Sequence, residues 1–183
     1  MEENSTTKKK KPEIPEKIKP FVKPITLGVL RSLAANTVKQ LLSSKEEHVF
    51  ESMKSVFLAV FTPLENEKIR CFLFYESLSL YDIILKKTFQ FDEEEKIDWK
   101  DYPIGPKSLT FGHMEILESK GFSFFSQLSE DTLDVLAKMD LVFETVYTDE
   151  ERKQIDAYPV IIAMRLFGAV RDCTFGGEED LKN

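Results

Sequence analysis

Apolar residues in the first third of the chain recur at helical spacing. Leu27, Leu30, Ala34, Val38 and Leu41 follow one another at intervals of 3, 4, 4 and 3, which places them on one face of an amphipathic helix. Thr26, two residues after Pro24, is positioned to cap it. Ser44 and Glu47 have the separation of a capping box, ahead of Val49, Met53, Val56 and Val60 at intervals of 4, 3 and 4. A second helix is therefore expected to run to about Phe61 and to stop at Pro63. Its end, Val56 to Phe61, is apolar all round, so a buried strand competes there.

After a polar connection over 64–68 the period changes. The run Ile69-Arg70-Cys71-Phe72-Leu73-Phe74-Tyr75 is aromatic-rich and of strand length. Tyr81, Ile83, Leu85, Phe89 and Phe91 alternate with Asp82, Lys86, Thr88 and Gln90, the period of a half-exposed strand, with Ile84 and Lys87 as exceptions. A third strand is expected over 108–117, where Leu109, Phe111 and Leu117 alternate with Thr110 and Gly112. Residues 92–107 form the longest connection in the body, acidic and proline-containing, with the only tryptophan, Trp99, beside Tyr102. Long connections in compact domains are disproportionately functional, so Trp99 and Tyr102 are candidate protein-contact residues.

Helical signals then return. Ser129 precedes Leu133, Leu136 and Met139, Thr148 and Glu151 repeat the capping-box spacing, and Pro159 suits the first turn of a final helix. In that helix Val160, Ala163, Met164 and Phe167 share a face, and its end is expected near Gly168 or Asp172. Residues 141–147 alternate and add a strand. The fold class expected is α+β: one compact domain with N-terminal helices, a small, mainly antiparallel sheet and C-terminal helices. A flexible, basic, proline-rich arm over 1–25 precedes the globular body at 26–173, and a flexible polar tail covers 174–183.

Charge sharpens that division. The first 25 residues carry seven lysines against four glutamates, whereas residues 26–183 carry 18 basic and 28 acidic side chains. The arm can attract an anionic surface that the body repels. Prolines 12, 15, 20 and 24 favour extended or polyproline II backbone there. Lys8, Lys9, Lys10 and Lys11, followed by Pro12, have the layout of a nuclear import signal and also suit phosphates of nucleic acid or anionic lipid. A solubilising terminus is the plainer reading. Apolar residues at 42% of the chain, including 15 phenylalanines, are enough for a packed core. Two cysteines without a preceding signal peptide point to a reducing, intracellular compartment, cytoplasmic or nuclear. No apolar run approaches the roughly 20 residues of a membrane span, so no transmembrane segment is expected.

Candidate chemistry is sparse. The two histidines are His48, read as a surface residue near a helix start, and His113, which shares the odd-numbered strand face with Leu109 and Phe111 and reads as half-buried and hydrogen-bonded. Cys71 with His113 is the one nucleophile–base pair that adjacent strands bring together, and an apolar strand cysteine is usually inert. Asp92 to Glu95 with Asp98 and Asp101 lack the spacing of a calcium loop. The seven glycines form no phosphate-binding pattern. No catalytic residue, metal or cofactor is expected.

The function these features favour is non-enzymatic: an assembly or adaptor protein with an acidic body and a basic arm that contacts an anionic partner. Its partners are a protein or a second copy, with a membrane surface or nucleic acid reached through the arm. The layout is shared with small viral matrix and nucleocapsid-associated proteins, an analogy of plan that no motif carries. The alternative is a small hydrolase or transferase near His113 and the 92–107 loop, using Asp98 or Asp101.

Overall fold

The computed structural model describes residues 15–33, 35–42, 49–89, 97–122 and 132–176, and the regular secondary structure among them is helical, joined by turns and extended connections. The elements are α1 (Leu27–Ser32), α2 (Ala35–Leu42), α3 (Val49–Val60), α4 (Pro63–Arg70), α5 (Phe74–Phe89), α6 (Phe111–Ser119), α7 (Thr132–Val146), α8 (Asp149–Ile155) and α9 (Val160–Phe175). Single 3-10 turns lie at Lys19–Phe21 and Trp99–Asp101. Among the described residues no strand forms, and the only β pairing is an isolated bridge between Thr26 and Pro159. The expected α+β class with an antiparallel sheet is therefore corrected to a mainly helical fold.

Each expected strand fails for a visible reason. In α5 the buried set is Glu76, Ser77, Leu80, Tyr81, Ile84 and Thr88, a helical repeat in which Ile84, the exception to the alternation, is fully buried. Ile83 and Leu85 only flank that stripe against the core, and a wide apolar arc on a helix imitates alternation. The 69–75 run straddles the end of α4 and the start of α5, with Cys71 as a helix C-cap. Over 108–117, Thr110 and His113 close a capping box: each side chain takes a hydrogen bond from the other residue's backbone N–H, at 3.2 Å. Phe111 is left 79% exposed, so the supposed apolar face does not exist. In 141–147, consecutive Val142 and Phe143 are both buried, which helix α7 permits and a one-sided strand does not.

Other expectations survive with changed bounds. Thr26 caps α1 through the Val29 N–H, but the single expected helix is two, with α1 ending at Ser32 and the backbone extended at Leu33. Pro159 is the N-cap of α9, which runs past Gly168 and ends at Gly176, whose φ of 69° suits a residue without a side chain. The 56–61 stretch is helical to Val60. The Ser44–Glu47 box and Ser129 lie outside the described residues.

Two apolar cores share α9. Val160 belongs to the first, with Val56, Leu80 and Ile84, and also with Ile18 and Ile25 from the segment ahead of α1. Ala163, Leu166, Phe167 and Val170 belong to the second, with Met139, Val142 and Phe143. Leu136 and Met164 touch both. The start of α1 is pinned to the turn before α9: Leu27 and Gly28 donate their N–H groups to the carbonyls of Tyr158 and Asp156, both at 2.9 Å. At Gly28 a Cβ would sit 3.2 Å from both the Asp156 oxygen and its Cβ, tighter than an ordinary side-chain contact, so a larger residue would push Asp156 away by a few tenths of an ångström.

One buried polar group holds the first core together. Thr88 is fully buried; its hydroxyl accepts the Ile25 N–H at 2.9 Å and donates to the Ile84 carbonyl at 2.7 Å. Thr88→Val keeps the shape but strands the Ile25 N–H away from water, so it is expected to cost about 1–3 kcal/mol in urea unfolding. A loss below about 0.5 kcal/mol contradicts that role.

Candidate functional site

Helices α3 and α4 are joined through Phe61 and Thr62 alone, and that short turn is built by its polar residues. Thr62 caps α4 and Pro63 fits its first turn, while Glu65 completes the capping box by accepting the Thr62 N–H at 2.8 Å. Asn66 reaches back to end α3, donating from its side-chain amide to the carbonyls of Phe57 and Phe61 at 3.1 and 3.0 Å. The Phe61 carbonyl is an acceptor that a helix end leaves open, whereas the Phe57 carbonyl also accepts the Phe61 N–H at 3.0 Å.

Between α3, α4 and the start of α5 this geometry leaves an open apolar groove of about 410 Å³. Met53, Phe57 and Ile69, all buried, form its floor. Phe50, Leu58 and Phe74 line its walls while remaining 57%, 58% and 60% exposed, and the Phe50 and Phe74 rings lie 6.4 Å apart. Leu73 and Tyr75, beside Phe74, are exposed as well. A contiguous exposed apolar patch is informative where scattered apolar residues are not.

Among the described residues the groove's charges have one sign: Lys54 from α3 and Arg70 from α4 line it and no described carboxylate does, with Glu51 and Glu67, on the same two helices, outside the lining. At one end the Phe72 ring carries Lys17, whose Nζ lies 4.8 Å from the ring centre and 3.0 Å from Glu76. The Leu73 N–H donates to the same Glu76 carboxylate at 2.7 Å. That backbone bond, followed by Lys17, holds the Glu76 carboxyl below its ordinary range. Glu65 is lowered by the Thr62 N–H and Lys23, Glu151 by Lys107 and the Thr148 N–H, and Asp149 by Arg152.

These shifts set the response to acid. A carboxylate whose folded pKa is depressed stabilises the fold above its unfolded value and loses that contribution as pH falls through the folded one. The melting temperature is thus expected to be level near neutrality and to fall below the ordinary glutamate value of 4.5. Glu76→Gln should flatten part of that fall, and a pH profile parallel to the unmodified protein's would contradict the assignment.

The residues singled out from sequence are dispersed. Lys8 to Lys11, His48 and the Asp92–Glu95 run lie outside the described residues. Trp99 and Tyr102 are half-buried against the second core, their rings 5.8 Å apart, with Tyr102 stacked edge-on against Tyr158 at 5.3 Å. Tyr158 fixes this loop by accepting the Ile104 N–H at 2.6 Å and donating to the Ile104 carbonyl at 2.8 Å, and Tyr147 donates to the Gly105 carbonyl at 3.0 Å. Asp98 caps the short 3-10 turn by accepting the Lys100 N–H. His113 spends its Nδ1 lone pair on the Thr110 N–H, and Cys71 is an exposed helix cap whose Sγ donates to the Glu67 carbonyl. The strand pair that was to join Cys71 with His113 does not form. Among the described residues no cluster of three metal-ligating side chains occurs, and no helix is long and apolar enough to cross a membrane.

The groove residues were not read from sequence. Their signal was the apolar surplus of α3, where Phe50, Phe57 and Leu58 fall outside the Val49, Met53, Val56 and Val60 stripe, and the unbroken Phe72-Leu73-Phe74-Tyr75 run. No protein-family model matches the chain, and neither a curated protein nor a solved structure matches it.

Proposed function

We propose that this is a non-enzymatic interaction protein of the adaptor or assembly type, which docks an apolar segment of a protein partner in the α3–α4–α5 groove. The observation that carries the reading is the set Phe50, Leu58 and Phe74, each more than half exposed over a buried apolar floor. With more than half of each side chain in water, completing their burial would return somewhat over half of the roughly 1.5–3 kcal/mol of a fully buried large apolar side chain. Aromatic anchors around a preformed cleft are the usual energetic centre of a protein contact. Peptide display on the immobilised full-length protein, with counter-selection on a Phe50→Ser, Leu58→Ser, Phe74→Ser variant, tests it. Enrichment of a shared pattern of apolar anchors supports docking, and no enrichment over the variant sinks it.

A further inference from the structure

We infer that the groove takes an amphipathic α-helix with acidic flanks. This occupant presupposes the docking function proposed above and adds the partner's charge and secondary structure. Residues 26–183 carry ten more acidic than basic side chains (28 against 18), yet among the described residues the two charged side chains lining the groove, Lys54 and Arg70, are cations. Among the described residues neither makes an ion pair, whereas Lys17 and Lys23 nearby are matched to Glu76 and Glu65. Unmatched cations at the edge of an apolar cleft select a partner whose carboxylates bracket its apolar anchors.

The backbone of the occupant follows from the fold. No strand exists among the described residues, so there is no sheet edge there for an extended peptide to join. A segment entering an apolar groove must then satisfy its own N–H and C=O groups, as a helix does. Its anchors would sit at helical spacing on one face.

Other occupants fit less well. Residues 1–14 hold four lysines against three glutamates, with Met1 and Ile14 as the only large apolar side chains, too few to fill the cleft and of the groove's own sign. An isologous dimer on this face would bring Lys54 and Arg70 towards their own copies.

The test measures fluorescence anisotropy of two synthetic helical peptides with the full-length protein at about 50 mM and about 300 mM salt. Both carry Leu and Phe at i, i+4 and i+7; one has Glu at the flanking positions and the other Lys. The Glu peptide is expected to bind at least about 10-fold more tightly, with the preference shrinking in salt. Lys54→Glu with Arg70→Glu should abolish that preference. Equal binding of both peptides that is lost in Leu58→Ser with Phe74→Ser overturns the acidic occupant and leaves the groove as a docking site. Absence of binding by either peptide, or binding that survives those serines, overturns docking itself. Capture by phosphatidylserine vesicles in preference to the Glu peptide, or a groove-dependent doubling of mass by light scattering, overturns the acidic helix in favour of a membrane or a second copy.

Discussion

Phe143→Ala is expected to lower the unfolding free energy by about 3–5 kcal/mol, a large part of the 5–15 kcal/mol of an ordinary domain. The ring is fully buried in α7, edge-on to Tyr147 at 5.7 Å, among Met139, Val142 and Leu166. The atoms removed lose their transfer energy, and close-packed neighbours cannot collapse fully into the space. Because α9 contributes to both cores, the loss should appear globally. Urea unfolding followed by Trp99 fluorescence, which reports the second core, should coincide with unfolding followed by circular dichroism. A shift below about 1 kcal/mol would show that Phe143 is not an essential part of the core.

Leu58→Ser with Phe74→Ser is expected to do the reverse. Both side chains are more than half exposed, so stability should change by no more than about 0.5 kcal/mol per site. Binding of an apolar helical peptide should fall by about 30-fold or more, because central anchors of a contact commonly cost about 1–2 kcal/mol each on truncation. Equilibrium unfolding and anisotropy on the same preparation separate the two effects. Intact affinity in a folded variant would remove these residues from the contact.

The helices legible in sequence were those whose caps are conventional. Thr26 and the Thr148–Glu151 box mark real starts, and α3 follows its stripe. The strands were misread where another signal was hidden. At α6 the capping box uses His113 where glutamate or glutamine is usual, so Thr110 passed as a strand residue. At α4, Thr62-Pro63-Leu64-Glu65 has an N-cap, a first-turn proline and a capping glutamate, but a proline at that point also fits the stop of the preceding helix. At α5, half-buried Ile83 and Leu85 beside the buried stripe produced the alternation. The groove depends on how three helices meet, and no periodicity within one helix reveals that. Its aromatic run was visible, but an exposed aromatic run and a buried one have the same sequence.

Amide chemical-shift mapping by NMR, on the full-length protein titrated with the Glu-flanked helical peptide, tests the docking groove most directly. The largest changes are predicted at Phe50, Lys54, Leu58, Arg70, Phe74 and Ser77, which line one cleft. Changes centred instead on exposed Phe111 and Ile116 of α6, or on the Trp99 loop, would contradict the account.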